Sequence, residues 1–233
     1  MKVIKFLIPF AICFGLVSCA KKASAPLTKI QMYKDLYKEA PISILVMLPI
    51  NKTNNVEVKD FFYTTLTTSL SDMGYYVIPP FMGQEILRSE SANDTERFVE
   101  APLQKFGEVF GADAVLFTTV TKWKKNGVTD DVEIQIEYVL KSTKTNNVLF
   151  QRKGNLIYDT SIKPPSNSGL AGLVIAAVAS KINTAATSYV KVSRMCNDVT
   201  LSDMPTGKYH SRHRLDSASF AGLKEFSTKI GGN

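Results

Sequence analysis

The first half of the chain alternates between apolar runs and amphipathic segments, a pattern that predicts strands and helices following one another. Ile42–Ile50 is almost entirely apolar, which is typical of a strand covered on both faces. The segment after it predicts an amphipathic helix that ends at Gly74, with Asn54 and Glu57 spaced as in a capping box at its start. Its apolar face consists of residues three or four positions apart: Val58, Phe62, Leu66, Leu70 and Met73.

Two further apolar runs, Tyr75–Ile78 and Asp113–Val120, have the length and composition of buried strands. Between them lie two segments with helical spacing, Phe81–Arg88 and Pro102–Phe110, joined by a polar loop. Strands that alternate with helices in this way predict βαβ units and a parallel sheet.

The pattern then changes to strict alternation of apolar and polar residues. Val132–Tyr138 alternates along its length, as in a strand with one face open to water, and Val148–Tyr158 reads as its partner. Turn signals flank the first strand at Asn126-Gly127 and Asn146-Asn147. The sequence therefore predicts an α/β fold whose mixed sheet has a parallel βαβ part extended by an antiparallel meander, with helices packed on it.

A long helix is predicted over Leu170–Val192, and one of its ridges consists only of small residues. This ridge could pack closely under the sheet, or it could be a surface for self-association. The uncharged stretch around it is too short to predict a membrane span. The ridge is our candidate interaction surface, and its members lie four residues apart: Gly172, Ala176, Ser180 and Thr184.

The first nineteen residues have the form of an export signal. Two lysines precede an uncharged run, Phe6–Val17, whose length of about twelve residues fits the ~7–15 of a secretory leader and falls short of the ~20 of a bilayer span. The run ends Leu16-Val17-Ser18-Cys19, which resembles the lipobox of bacterial lipoprotein precursors, in which the cysteine is lipidated and becomes the first residue. An ordinary leader with an incidental Cys19 is the alternative.

These features divide the chain into four parts. Residues 1–18 are the predicted lipoprotein signal peptide, and residues 19–38 are a lipidated tether that includes a short helix. Residues 39–192 form the α/β domain, and residues 193–233 are a polar, basic segment that we expect to be an extended tail, disordered at its end.

Net charge and cysteine content narrow the class of protein. The formal charge of +7 is compatible with contact to anionic lipid or polysaccharide, but it is too mild to indicate nucleic-acid binding. With Cys13 in the leader and Cys19 lipidated, Cys196 is a lone thiol, either buried and inert or a crosslink between two copies. No disulfide framework is predicted.

Candidate catalytic groups are few. The two histidines, His210 and His213, both lie in the tail, and only Asp203 and Asp216 are near enough in sequence to assist them in a metal site. We predict no metal and no cofactor, and we keep a hydrolase that uses one of these histidines as a remote hypothesis, since the chain has no Gly-x-Ser-x-Gly elbow. The stretch Thr206–Tyr209 departs from a phosphate loop because Tyr209 stands where Ser or Thr is needed.

The only tryptophan, Trp123, lies among three lysines in Thr121–Lys125. An aromatic ring between cations could stack on a sugar or sit at a lipid headgroup boundary. The other interpretation is a solvated strand end, in which lysines protect the edge before the turn at Asn126-Gly127.

Two motifs at a particular separation carry a resemblance that covers nearly the whole mature chain. After the lipobox and Ile44–Asn51 come Met73–Pro79 (MGYYVIP) and Phe110–Leu116 (FGADAVL), followed by a glycine-rich segment from Gly169 and Pro205–Tyr209. Together they resemble a family of bacterial lipoproteins built on a domain of unknown function, related in fold to the TolB amino-terminal domain and to CsgG-like curli-secretion lipoproteins.

The resemblance implies a mixed-sheet α/β domain anchored at the periplasmic face of the outer membrane. Relatives serve envelope transport or secretion assemblies without enzymatic activity or cofactor, so only the lipidated Cys19 transfers to this chain. Ala20 favours the outer membrane, because inner-membrane lipoproteins commonly carry Asp at that position.

The leading hypothesis is a non-catalytic outer-membrane lipoprotein that acts by protein–protein contact. Its expected partners are the membrane through the lipid anchor, other envelope proteins and further copies of itself, with no nucleic acid. The alternative is a periplasmic glycan- or lipid-binding module that uses Trp123 and its lysines.

Overall fold

A mixed seven-stranded sheet with helices on both faces forms the body of the protein, whose computed structural model describes residues 25–89, 94–129, 131–159 and 189–231. The strands in chain order are β1 (Ser43–Val46), β2 (Ile50–Asn51), β3 (Tyr76–Val77), β4 (Ala114–Lys125), β5 (Val132–Ser142), β6 (Val148–Asp159) and β7 (Glu225–Gly231). The helices are α1 (Lys29–Met32), α2 (Lys34–Glu39), α3 (Val58–Asp72), α4 (Pro80–Ser89), α5 (Gln104–Phe110) and α6 (Tyr189–Leu201), with a 3-10 turn at Thr95–Phe98.

The sheet order is β3-β1-β4-β5-β6-β7, and β2 pairs with β4 beyond the end of β1. β1 is parallel to β3 and β4, whereas β4, β5 and β6 form an antiparallel meander. β7 lies parallel to β6 at the edge of the sheet. The predicted fold class, a parallel βαβ part extended by a meander, is confirmed.

Two apolar clusters occupy the two faces of the sheet, which explains why the first strand is apolar without interruption. Ile44 and Val46 face the larger cluster under α3 and α6, and Leu45 and Met47 face the smaller one under α4 and α5. The predicted apolar face of α3 is correct, since its first four members are fully buried and the fifth is partly buried: Val58, Phe62, Leu66, Leu70 and Met73.

The predicted strand Ile42–Ile50 is divided in two. β1 ends at Val46 and β2 begins at Ile50, with Pro49 between them, because proline has no N–H to donate to a neighbouring strand. The capping box at Asn54 is also wrong. The N–H of Glu57 instead donates to Oδ1 of Asn55 at 3.1 Å, and α3 begins at Val58.

The segment that we expected to be an extended tail instead contributes a helix and a strand. Residues 193–201 belong to α6, which buries Val192, Cys196 and Leu201 against α3 and the sheet. β7 pairs with β6 from Lys153↔Glu225 to Asp159↔Gly231. The tail prediction failed because the polar residues of α6 find buried partners on other elements, which composition does not reveal.

The folded domain also begins earlier than residue 39. Tyr33 directly precedes the short helix α2, and Leu36 lies within it. Each is only 4% exposed and belongs to the main core. Cys196 is a free, buried thiol in that core, and its burial raises its pKa, which disfavours the reactive thiolate.

Several predicted features lie outside the described residues. They are the leader, Cys19, and the small ridge of Gly172, Ala176, Ser180 and Thr184. Across the parts of the chain that the structure describes, no helix combines the length and the apolar character needed to cross a bilayer.

Candidate interaction surface

Two segments far apart in sequence lie against each other at one side of the domain, and we call residues 25–39 and 203–224 the paired segments. Backbone hydrogen bonds join them: the N–H of Lys29 donates to Ser219 O at 2.8 Å, and that of Ile30 donates to Ser217 O at 3.1 Å. The N–H of Ala221 donates back to Leu27 O at 2.8 Å, beside a bridge between Thr28 and Phe220. The start of the domain is therefore fixed to its C-terminal region.

A buried polar centre underlies the paired segments. The hydroxyl of Tyr33 donates to Oδ2 of Asp203, and Oδ1 of the same carboxylate accepts the N–H of Gly222 at 2.9 Å. Arg152 on β6 donates to the carbonyls of Val199 and Thr200 at the end of α6, at 3.2 and 3.1 Å. Burial, and then the hydrogen bond to Asp203, raise the pKa of Tyr33, so this phenol stays protonated as a donor.

A second carboxylate, Asp216, joins the segments nearer the surface. Its oxygens face Lys29 Nζ at 3.5 Å and the hydroxyl of Tyr37 at 3.1 Å. Burial is the main cause that raises the pKa of Tyr37, and the charge of Asp216 adds to it. Asp203 and Asp216 therefore hold the paired segments together and do not assist the histidines.

A close approach of two backbones at Gly74 locks the C-terminal segment against α3. Gly74 has φ +82°, and a Cβ placed on it would lie 2.3 Å from the nitrogen of His210. The N–H of Gly207 donates to Met73 O at 2.8 Å, and that of Tyr209 donates to Gly74 O at 3.0 Å. Only glycine fits at this position, which explains the glycine of the MGYYVIP motif.

The second motif, FGADAVL, has a separate structural role. Gly111 ends α5 in the left-handed region at φ +65°. Oδ2 of Asp113 accepts the N–H groups of Ile42 and Ser43 at 3.0 and 3.2 Å, so this carboxylate fixes the start of β1 beside β4. Burial alone would raise the pKa of Asp113, but these donors and Lys144 together lower it.

The two histidines do not form one site. Nδ1 of His210 accepts the N–H of Arg212 at 3.0 Å, and Nδ1 of His213 lies 2.9 Å from Thr206 O. His210 lines a groove, whereas His213 lines a separate, much smaller recess. Within the described residues, no hydroxyl or thiol is hydrogen-bonded to either imidazole, so no nucleophile–base pair is formed.

The groove lined by His210 has a volume of about 430 Å³ and runs between the paired segments and the ends of α3 and α6. Its carboxylates are engaged: Asp72 and Asp198 face Arg194, and Asp216 faces Lys29. The hydroxyl of Ser69, which also lines the groove, donates to Oδ1 of Asp198 at 2.6 Å. Within the described ranges no three His, Cys, Asp or Glu side chains are grouped as a metal site would need.

Trp123 lies at the opposite end of the sheet, where β4 ends. Its ring packs edge-on against Phe62 and Tyr189, with centroids 5.7 and 5.5 Å apart, and lies close to Phe61. Lys122 beside it is paired with Glu133. Trp123 is thus a partly buried member of an aromatic cluster and not the open stacking platform that the binding-module alternative needs.

Sequence reasoning missed the paired segments themselves. The sequence suggests Asp203 and Asp216 only as companions of the histidines, and no pattern in it singles out Arg152. A signal was present for β7, because Phe226, Thr228 and Ile230 alternate with polar residues, as a half-buried strand requires.

Comparison with known proteins identifies relatives of this chain. Residues 31–209 match the family model described as "GNA1162-like: Putative lipoprotein GNA1162-like". One relative, "Putative lipoprotein NMB1124/NMB1162" from Neisseria meningitidis serogroup B (strain ATCC BAA-335 / MC58), is 27% identical over 158 residues, covering 67% of this chain and 71% of the relative.

Two solved structures are also similar. The crystal structure of lipoprotein GNA1162 from Neisseria meningitidis is 26% identical, with a TM-score of 0.47, and the match covers 61% of this chain and 98% of that one. The PelC dodecamer from Paraburkholderia phytofirmans is 16% identical, with a TM-score of 0.36, and the match covers 77% of this chain and 91% of that one.

Proposed function

The chain belongs to the GNA1162-like lipoprotein family, and from this membership and the ending of its leader we propose that it is a lipid-anchored protein of the cell envelope. The observation that carries the proposal is Leu16-Val17-Ser18-Cys19 after an uncharged run. Removal of residues 1–18 leaves Cys19 first, with diacylglycerol on its thiol and an acyl group on its amine. Two or three acyl chains anchor a protein durably in a bilayer, whereas a single acyl chain gives only marginal membrane binding.

In this proposal the anchor lies in the outer membrane, with the domain on its periplasmic face. Ala20 supports this placement, because the aspartate that commonly retains lipoproteins at the inner membrane is absent from that position. An Ala20→Asp variant is therefore expected to move to the inner membrane, which fractionation of the two membranes on a density gradient measures. Equal distribution of both forms would contradict the placement.

The proposed role is non-catalytic and works through protein contacts. It is supported by two histidines that are hydrogen-bonded to no hydroxyl or thiol among the described residues, and by carboxylates that hold the two paired segments together. No catalytic, cofactor-binding or metal residue is assigned. An assembly for envelope transport or secretion, and a fold relation to the TolB amino-terminal domain and CsgG-like lipoproteins, are part of the same proposal.

Mass spectrometry of the native protein tests the anchor. We expect the mature chain to begin at Cys19 with a mass increase that matches diacylglycerol and a further acyl group. Cys19→Ser should abolish both the modification and sedimentation with membranes, whereas the matched change Cys13→Ser in the leader should leave them intact. A mature chain that begins elsewhere, or that is released without detergent, would overturn the proposal.

The protein contacts are tested at the predicted small ridge. Replacing Ala176 by Leu would prevent close approach of another helix, so we expect fewer crosslinked partners or copies in intact cells. Val128→Leu is the matched control, because Val128 is 92% exposed in a turn. A strictly monomeric protein without crosslinked envelope partners would contradict this part of the proposal.

A further inference from the structure

The paired segments expose large apolar side chains on the side where the chain enters the domain. Leu215, Phe220 and Leu223 are 73%, 68% and 73% exposed, and Leu27 is 47% exposed. Single exposed apolar residues are common on protein surfaces and need no explanation. Here, however, Leu215, Phe220 and Leu223 occur within nine residues of one segment, and a bridge between Thr28 and Phe220 joins that segment to the start of the domain.

The same segments carry an excess of positive charge. Residues 205–224 contain Lys208, Arg212, Arg214 and Lys224, all exposed, against a single carboxylate. That carboxylate, Asp216, is already paired with Lys29. Among the described residues, none of these four cations lies within ion-pair distance of an acid, so their charge is available to an anionic partner.

The groove is lined by one basic side chain from each segment, Lys29 and Arg212, together with the carboxylates described above. Ser219 also lines it and directly precedes the exposed Phe220. Because Ser219 also accepts the N–H of Lys29, these groups keep a fixed arrangement. Exposed cations near exposed leucine and phenylalanine side chains suit a phosphate-bearing interface with an apolar layer beneath it.

The length of the tether limits how far this surface can be from the membrane. Ala25, where the described domain begins, is six residue steps from Cys19. A fully extended chain of that length spans about 20 Å, so an anchor at Cys19 keeps Leu27 and its neighbours close to the lipid headgroups. Lys21 and Lys22 in this stretch add to the positive charge.

We propose that the exposed side of the paired segments binds the anionic headgroup surface of the bilayer that holds the anchor. In this arrangement Phe220 and Leu223 enter the interface, and Arg212 and Lys224 contact lipid phosphates. The inference rests on the proposed anchor at Cys19. It orients the domain with its paired segments toward the membrane and its Trp123 end toward the periplasmic space.

The chain leaves and re-enters the described structure away from this surface. Asp159 pairs with Gly231 at the far end of β7, whereas Leu223 precedes the start of that strand. Tyr189 begins α6 beside Trp123, and its other end at Leu201, about 20 Å away, leads into the paired segments. The exposed apolar groups thus lie at the other ends of β7 and α6 from Asp159 and Tyr189, the residues at which the described structure is interrupted.

Vesicle binding of the unacylated mature chain tests the inference. Residues 19–233 with Cys19→Ser are mixed with vesicles containing about 30% phosphatidylglycerol or with neutral phosphatidylcholine vesicles, and both are sedimented. We expect binding to the anionic vesicles alone, weakened by salt. Arg212→Gln with Lys224→Gln should lower the partition coefficient by roughly 25-fold, at ~1 kcal/mol for each basic residue.

Matched control variants distinguish binding through this surface from non-specific binding to vesicles. Lys59→Gln with Lys105→Gln removes two exposed lysines elsewhere and should leave binding within about twofold of the parent. Phe220→Ser should weaken binding, but Phe81→Ser, at a 77% exposed position on α4, should not. No preference for anionic vesicles, or equal losses in both pairs of variants, would overturn the inference.

Failure of this inference and failure of the anchor give different results. If Cys19 is acylated in the native protein but the Arg212 and Phe220 variants bind vesicles as well as the parent does, the proposed membrane-binding surface is wrong and the anchor is supported. A native protein without acyl groups, combined with the expected variant pattern, would overturn the anchor and the orientation derived from it.

Discussion

The two ends of the central strand β4 both combine aromatic and basic residues, yet they are built in opposite ways. At the end of β4, Trp123 packs against Phe62 and Tyr189, and Lys122 is paired with Glu133. At the other end lie the paired segments, where Phe220 is 68% exposed and Arg212 has no acidic partner among the described residues. Similar compositions thus produce a structural cluster at one end and an accessible surface at the other.

The difference shows that exposure, and not composition, indicates which aromatic residue can meet a partner. In the sequence, Trp123 is a candidate binding residue because it is the only tryptophan and lies among lysines, but in the structure its ring stabilises the end of the sheet. Phe220 lies in a polar region of the sequence, where no motif or periodic pattern indicates a binding residue. Its availability follows from the bridge to Thr28, which orders the segment without covering the ring.

The largest expected effect comes from breaking the contact that holds the C-terminal segment in place. Gly74→Ala requires a left-handed residue with a Cβ 2.3 Å from a backbone nitrogen, so the chain must shift. We expect a loss of about 3 kcal/mol or more in the free energy of unfolding, measured by urea denaturation.

Gly111→Ala is the matched control for this change. Gly111 also has positive φ, at +65°, but no atom lies within 4 Å of its added Cβ. Gly111→Ala should therefore lose only about 1 kcal/mol of unfolding free energy, the cost of holding an alanine in the left-handed conformation. Equal losses in the two variants would show that the close approach at Gly74 does not fix the paired segments.

A direct comparison of the two aromatic residues has the next largest effect. Trp123→Ala removes ring contacts with three aromatic neighbours and should cost about 2–3 kcal/mol of unfolding free energy. Phe220→Ala should cost less than about 0.5 kcal/mol, because its ring is mostly in water. Equal losses in chemical denaturation would remove the distinction between a structural and an accessible end.

Replacing the buried carboxylate of the paired segments has an intermediate effect. Asp203→Asn weakens the acceptors of Tyr33 and Gly222 and removes the charge nearest to buried Arg152. We expect a loss of about 2 kcal/mol, with faster hydrogen exchange at Gly222 and its neighbours. Unchanged exchange there would mean that Asp203 does not hold the segments together.

Local periodicity predicted much of the fold because the relevant residues lie close in sequence. The buried face of α3 and the alternation of β5 follow directly from the spacing of Phe62 and Leu66 and of Ile134 and Ile136. The C-terminal half of α6 was not predicted. Asn197 is buried because it bonds to Tyr138 and Thr65, which are more than fifty residues away.

The accessible surface depended even more on long-range contacts and could not be predicted from local sequence. Neither the pairing of Lys29 with Asp216 nor the packing of Gly207 on Gly74 leaves a periodic signal. The family motifs are visible in the sequence, but the structural roles of Gly74 and Asp113 depend on partners that are distant along the chain.

The smallest expected effect is the pH dependence that Asp113 gives to the end of the sheet nearer the paired segments. Its folded pKa is lowered, so its carboxylate stabilises the fold above the unfolded pKa of about 3.9, and this stabilisation is lost as the pH falls through the folded value. Asp113→Asn should therefore cost more unfolding free energy near neutral pH than at an acid pH below the lowered folded pKa, where the parent side chain is also uncharged.

Lys144→Gln is the matched control, because Lys144 lies 3.0 Å from Asp113 but is 68% exposed. Solvent screens such a pair, so the variant should keep most of the pH dependence, while the N–H groups of Ile42 and Ser43 continue to hold the carboxylate. Denaturant unfolding of the three proteins across this pH range measures the contributions. If Asp113→Asn cost the same at both extremes, the charge of Asp113 would contribute nothing, and the start of β1 would depend on packing alone.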